Sequence, residues 1–174
     1  MSAAAPVTFV LGGARSGKSR YAEALIASAP PPWIYIATAE PLDDEMTQRI
    51  AEHKARRDGR WQTVEAPRDL ADVLGGAPAG ASVLVDCVTL WLSNLLLAQA
   101  DIKREMGRLE DALPRRRGTT VLVGNEVGFG IVPDNALARR FRDLQGCLNQ
   151  RLAARADRVV LMVAGLPLFV KGSP

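Results

Sequence analysis

Apolar residues in this chain come in short unbroken runs, and between those runs they recur at helical spacing. The runs are Val7–Leu11, Trp33–Ala37, Val83–Val85, Thr119–Val123 and Arg158–Val163, and each reads as a strand. Unbroken apolarity is what a strand carries when helices cover both faces of its sheet. Helical patterning falls near Lys18–Ser28, Asp43–Arg57, Arg68–Leu74, Leu90–Leu113 and Asn135–Ala156. The alternation of the two predicts an α/β fold with a mostly parallel sheet flanked by helices. APPPW at 29–33 and GGAPAGA at 75–81 are turn-rich connectors inside it, and no linker divides the chain. Residues 1–174 are therefore expected to form a single domain. In the tail LPLFVKGSP, Pro167 is expected to mark a turn before a last edge strand.

Composition narrows the class only a little. With 48% hydrophobic and 24% charged residues, the chain has a globular and not a disordered make-up. The 22 basic residues have 19 acidic ones scattered among them for a net charge of +3, so no basic strip interleaved with aromatics suits a nucleic acid. A phosphorylated small molecule fits that balance at least as well. Cys87 and Cys147 have no metal-type spacing and read as buried thiols in a reducing compartment. The start, MSAAAPVTFVLGG, lacks the basic segment of a secretion signal. The most apolar stretch, VTLWLSNLLLA, is interrupted by Ser93 and Asn94 and is too short to span a bilayer. A cytoplasmic location is the expectation.

The first chemistry-bearing motif is GGARSGKS, residues 12–19, which matches G-x-x-x-x-G-K-[ST] and lies between strand FVLG and helix KSRYAEALI. Such a loop turns successive backbone N–H groups toward phosphate oxygens, and the helix N-terminus adds the positive end of its dipole. Gly12, Gly13, Ala14, Arg15, Ser16, Gly17, Lys18 and Ser19 are accordingly expected to hold a triphosphate, with Lys18 reaching the outer phosphates and Ser19 ligating Mg²⁺. The expected fold is thus a P-loop NTPase of RecA-like kind. SVLVD ends in Asp86, a strand-end carboxylate placed either for the metal or for capping the next helix. Asn125 and Glu126, in the loop after the strand Thr119–Val123, stand where α/β proteins bind ligands.

The only histidine, His53, lies in DDEMTQRIAEHKARR, whose acidic start and basic end suit a helix. Met46, Arg49, Ile50, Arg56 and Arg57 fall within about 60° of it on the helical wheel. Cations around an imidazole disfavour its charged form, and the same arginines suit a phosphate. The residues alone leave two readings open: a nucleophile that attacks phosphorus, or a partly exposed helix residue.

These blocks together resemble one enzyme family. GGARSGKSRYAE, ATAEPLDDEMTQRIAEHKARRDGRWQTVEAP, LVDCVTLWLSNLL and VGNEVGFGIVPDNALARRFRDLQGCLNQRLAARADRVVLMVAGLPL follow, in order and over nearly the whole chain, the pattern of the bifunctional adenosylcobinamide kinase / adenosylcobinamide-phosphate guanylyltransferases of cobalamin biosynthesis. The resemblance implies phosphorylation of adenosylcobinamide by ATP or GTP. It then implies transfer of GMP from GTP, through a guanylylated histidine, to the cobinamide phosphate, with release of pyrophosphate. Carried onto this sequence it makes His53 the guanylylated residue. It also places Ala37, Thr38, Ala39, Lys54, Ala55, Arg56, Arg57, Glu65 and Asp86 around the nucleotide. Glu65, by its position, is the carboxylate to accept from the guanine N1–H and exocyclic amine, and Asp86 serves either nucleotide or Mg²⁺. The family implies a homo-oligomer, a trimer by our reading. Trp61, Trp91 and Phe129 are candidates either for a corrinoid-docking surface or for packing. Two rivals remain: a simple P-loop kinase with a structural His53, and a RecA-type nucleotide-binding module.

Overall fold

In the computed structural model, residues 6–173 are described, the side chain of Arg49 excepted. The reading of the first five residues and the place given to the Arg49 guanidinium beside His53 lie outside the described residues. The strands are β1 (Val7–Gly12), β2 (Trp33–Ala37), β3 (Trp61–Glu65), β4 (Ser82–Asp86), β5 (Thr120–Asn125), β6 (Arg158–Val163) and β7 (Leu166–Lys171). The helices are α1 (Lys18–Ala27), α2 (Asp44–Ala55), α3 (Leu70–Gly76), α4 (Val88–Leu97), α5 (Ile102–Ala112) and α6 (Ala136–Arg155), with a 3-10 turn at Leu113–Arg115. The strands form one seven-stranded sheet in the order β3-β2-β4-β5-β1-β6-β7. Every pairing is parallel except β6 with β7. Among the described residues no helix is long and apolar enough to cross a membrane.

The unbroken strands bury both faces, as their composition predicts. Phe9, Ile34, Ile36, Val83, Val85 and Leu122 pack on one side with Leu70, Trp91, Leu92, Leu109 and Leu148 of the helices. Their strand neighbours Val10, Trp33, Tyr35, Leu84, Val121, Val123 and Val160 face the other side, against Ala22 and Ile26 of α1. Trp91 is wholly inside the core, with its indole N–H donating to the Arg68 carbonyl at 2.9 Å. Of the two roles weighed for it, docking and packing, it has the second.

Three elements differ from the sequence reading. The predicted helix Leu90–Leu113 is two helices, because Gln99 takes a left-handed φ of 54° and Asp101 starts α5 by accepting from the Arg104 N–H at 3.1 Å. β3 was not expected; it is an edge strand paired only with β2 and mostly exposed, so it carries no apolar run to betray it. Pro167 lies inside β7, opposite Met162, and the turn falls before it, where Ala164 and Gly165 both have positive φ. An edge strand tolerates the missing N–H.

The register gathers the strand ends that matter. Ala37 pairs with Glu65 on one side and Asp86 on the other, so the three stand abreast. Gly12 pairs with Asn125, and β5 lies between β1 and β4, which seats Asn125 between the glycine-rich loop and Asp86. The strand ends are tied laterally. Buried Asn94 of α4 donates to the Thr38 carbonyl at 2.8 Å and to the Pro67 carbonyl at 3.0 Å, joining the segments that leave β2 and β3. Replacing Asn94 with Ala strands both carbonyls and is expected to lower stability by about 2 kcal/mol, read as a shift in the urea midpoint. A change below about 0.5 kcal/mol, the range of an ordinary surface substitution, would show that these bonds are dispensable.

Candidate functional site

The loop from Gly12 to Ser19 leaves the interior strand β1 and enters α1 through Gly17, whose φ of 92° is one that a side chain rarely adopts. A Cβ on Gly17 would also press to 3.3 Å on the Gly165 Cα of the β6–β7 turn, and the Gly165 N–H donates to the Ser16 carbonyl at 3.1 Å. The loop is therefore braced from outside. Lys18 Nζ donates to the Gly13 carbonyl at 2.8 Å, folding the ammonium over the loop. The Ser16 hydroxyl is buried without a hydrogen-bond partner.

α2 carries the histidine. Asp43 opens it by accepting from the Met46 N–H at 2.7 Å, Asp44 and Glu45 occupy the positive end, and His53 and Lys54 close the negative end. The helix stands over the carboxyl edge of the sheet and encloses, with the strand ends, a cavity of about 420 Å³. Lys18, Ser19, Tyr35, Ala37, Ala39, His53, Lys54, Arg57, Glu65, Asp86 and Asn125 all line it, with Pro41, Met46 and Ile50 as an apolar wall. About half of the residues expected to meet a nucleotide are thus brought together, His53 among them. Gly12 to Gly17, Thr38, Ala55 and Arg56 are not in this lining. Thr38 is fully buried, with its hydroxyl donating to the Cys87 carbonyl at 2.7 Å and accepting from the Cys87 N–H at 2.9 Å. Glu126 turns back on its own loop, accepting from the Gly128 N–H at 2.5 Å.

Around His53 the wheel of cations is only part of the picture. Arg56 Nη2 lies 3.2 Å from His53 Nδ1 and 3.3 Å from Glu23 of α1. Asp86 Oδ2 approaches the same ring nitrogen to 3.7 Å, so the imidazole faces a carboxylate as well as a guanidinium. Arg57 reaches a different neighbour: its Cζ sits 3.5 Å from the centroid of the Tyr35 ring, and its Nη1 is buried without a hydrogen-bond partner. Tyr35 donates its hydroxyl to Asp86 Oδ2 at 3.1 Å. Burial first, and then the Asp86 charge, hold the Tyr35 phenol well above its ordinary pKa, with Arg57 opposing. Tyr35 is the residue that sequence reasoning passed over. Its signal was a hydroxyl inside the otherwise apolar WIYIA, a group that must find a partner when buried.

Asp86 does not cap α4. That position belongs to Cys87, whose sulfur accepts from the Leu90 N–H at 3.5 Å. Asp86 and Ser19 present hard oxygen donors to one cavity, a set suited to Mg²⁺ that keeps water and phosphate oxygens as its other ligands. Among the described residues no group of three His, Cys, Asp or Glu forms a metal cage of its own. Glu65 and Lys54 pair at 3.7 Å on the rim, with side chains 74% and 52% exposed, so the pair adds little stability and leaves the carboxylate accessible to a base.

A glycine-rich loop between the interior strand β1 and its helix, a lysine at the helix start and a strand-end carboxylate across an inserted strand define a P-loop NTPase fold. Solved structures agree: an ATPase from the type III secretion system of pathogenic bacteria aligns over 90% of this chain and 50% of its own, with a TM-score of 0.58 at 12% identity. The P4 protein of bacteriophage phi6, in complex with ADP, aligns over 94% and 54%, with a TM-score of 0.50 at 18% identity. The family is set by sequence. The chain belongs to the cobinamide kinase / cobinamide phosphate guanyltransferase family, whose model it matches over residues 8–170. It is 50% identical to the bifunctional adenosylcobalamin biosynthesis protein CobP of Pseudomonas aeruginosa, over 95% of this chain and 97% of that one. It is 46% identical to the corresponding CobU of Salmonella typhimurium, over 93% and 98%.

The site geometry also predicts thiol behaviour. Burial, and then the Asp86 charge, push the Cys87 thiol up to about 11, whereas Cys147 is exposed. At pH 8 only about one Cys87 in a thousand is thiolate. Native protein is expected to take up one equivalent of maleimide, at Cys147, and a second only after unfolding, as read by intact mass. Rapid double labelling of folded protein would show that Cys87 is accessible.

Proposed function

We propose that this chain phosphorylates the terminal hydroxyl of adenosylcobinamide from ATP or GTP, and then passes GMP from GTP to the resulting phosphate through His53. The observation that carries the reading is that His53, Lys18, Ser19, Arg57 and Asp86 line one cavity beneath α2. That placement favours it over a simple kinase, in which a histidine facing the nucleotide cavity would have no task.

In the kinase step the chain's contribution is positioning and charge. The loop N–H groups and Lys18 hold the outer phosphates. The substrate hydroxyl oxygen forms a bond to the γ-phosphorus as the bond to the bridging oxygen breaks, the nucleoside diphosphate leaves with that electron pair, and the hydroxyl proton passes to solvent. Mg²⁺, held by Ser19 and Asp86, would neutralise charge between the outer phosphates.

In the transfer step His53 Nε2 attacks the α-phosphorus, an N–P bond forms, and pyrophosphate leaves with the electrons of the broken P–O bond. Nδ1 receives opposite demands. A guanidinium only donates, so Arg56 requires a lone pair there; a carboxylate only accepts, so Asp86 requires an N–H. Attack through Nε2 needs the second tautomer, with the proton on Nδ1 toward Asp86. Arg56 then gives up the ring for Glu23, which its Nη2 already reaches. As positive charge develops on the imidazole, Asp86 offsets it, and Arg57 meets the charge on the phosphate oxygens. The corrinoid phosphate afterwards displaces His53 from phosphorus, and GMP passes to it. Glu65, abreast of Ala37 and Asp86, is the carboxylate we assign to the guanine edge.

Incubation with Mg²⁺ and GTP labelled at the α-phosphate should put acid-labile, alkali-stable label on wild-type protein and none on His53→Asn. Folded, active wild type that stays unlabelled would return the chain to the simple-kinase reading. Lys18→Ala is expected to slow both labelling and cobinamide phosphorylation by about a hundredfold or more, since it removes a charge from the phosphates used in each. Intact rates in that variant would mean the loop lysine does not hold the nucleotide.

A further inference from the structure

We propose that Tyr35 is a positioning residue for guanylyl transfer, fixing the Asp86 carboxylate toward His53 with its hydroxyl and holding the Arg57 guanidinium in the cavity with its ring. The inference rests on His53 being the nucleophile.

Packing alone does not ask for tyrosine here. Tyr35 is 4% exposed in the middle of β2, on the same sheet face as Trp33. Trp61 of β3 wedges against both, with ring centroids 5.3 Å from Trp33 and 6.3 Å from Tyr35 in an edge-on contact. Phenylalanine would fill that space. The hydroxyl is an added burden in a buried strand unless it is satisfied, and of the acceptors at the sheet edge it takes Asp86 Oδ2, the oxygen that also approaches His53 Nδ1. The phenol donates to that oxygen at 3.1 Å. The carboxylate so held cannot swing away from the imidazole.

The ring does a second task. Arg57 leaves the end of α2 and lays its guanidinium on the Tyr35 face, and its Nη1 is buried with no hydrogen-bond partner. An unpaired guanidinium N–H in a buried place is unfavourable, and the electron-rich face of the ring offsets part of that. A phosphate oxygen entering the cavity would supply the missing acceptor. One side chain thus sets the distance between a carboxylate that answers positive charge on His53 and a cation that answers negative charge on phosphorus. Positive charge on the imidazole develops only as the N–P bond forms, so the effect of the hydroxyl belongs to the rate, whereas the Arg57 guanidinium held by the ring also meets the phosphate of bound nucleotide.

Three variants test this with the α-labelled GTP reaction: Tyr35→Phe, Asp86→Asn and the double substitution, each with its thermal unfolding recorded. Tyr35→Phe keeps the ring and is expected to slow labelling at saturating GTP about tenfold, less than the loss of a donor that touches the phosphate. GTP half-saturation should move by less than about twofold. In the Asp86→Asn background, adding Tyr35→Phe should change the rate less than about twofold, because the hydroxyl acts through the carboxylate. Tyr35→Leu removes the platform as well and should also weaken GTP half-saturation. The proposal is overturned if Tyr35→Phe labels at the wild-type rate, if it slows both backgrounds by the same factor, or if its loss only tracks the unfolded fraction. Wild type that fails to label would instead remove the His53 assignment beneath it.

Discussion

The reciprocal pair of hydrogen bonds between Thr38 and Cys87 is the constraint on which the arrangement around His53 depends. A parallel sheet ends its strands side by side with backbone groups unpaired, and at β2 and β4 the chain must turn away in two directions without leaving them buried and unsatisfied. One threonine hydroxyl serves as both donor and acceptor to the residue that follows Asp86. The Thr38 carbonyl is in turn taken by Asn94, and the Thr38 N–H reaches the Asp86 carbonyl at 3.4 Å. Asp86 therefore sits on a backbone pinned from both sides, and its carboxylate is offered to the cavity at a fixed height. The site is accurate because its carboxylate stands on strands and its lysine on a braced loop, while the histidine is the part carried by a helix at the surface.

Much of this was legible in residue order. The unbroken strands, the loop GGARSGKS and the strand-end Asp86 each follow from a local requirement: burial on both faces, backbone freedom at phosphate, and a carboxylate at the carboxyl edge. Those requirements act within a few residues, so they leave a mark on the chain. The strand β3 left none, because an exposed edge strand needs only a neighbour with free hydrogen-bonding groups, and β2 supplies it from elsewhere in the chain. The break between α4 and α5 was hidden for another reason. Apolar spacing continued across it, and only the Gln99 backbone and the Asp101 cap ended the helix.

The site was legible as a set of residues and not as a set of contacts. The helical wheel placed Arg56 and Arg57 on the histidine's face, and the structure sends one to the ring nitrogen and Glu23, the other to Tyr35. It also brings Asp86 to the imidazole from β4, an approach that no periodicity within α2 encodes. Whenever a functional group's neighbours come from other elements, single-element periodicity describes only one side of its surroundings.

The same division of contacts bears on how one cavity serves two phosphorus centres. Lys18 opens α1 and folds over the glycine-rich loop, whereas Arg57 belongs to the end of α2 and lies on the Tyr35 ring of β2 near the histidine. Under the proposed function, charge stabilisation at the γ-phosphorus and at the α-phosphorus would thus come from different elements. A nucleotide seated with its outer phosphates in the loop is set for attack on the γ-phosphorus. Under the proposed function, the α-phosphorus reacts where it meets His53 between Asp86 and Arg57. Under that proposal the two reactions share a floor of strand ends and differ in the cation that the reacting phosphate touches. On this account α2 is more than a carrier for the nucleophile. It brings the second cation with it, so that the histidine and the charge needed to make its attack favourable arrive on the same short stretch of chain.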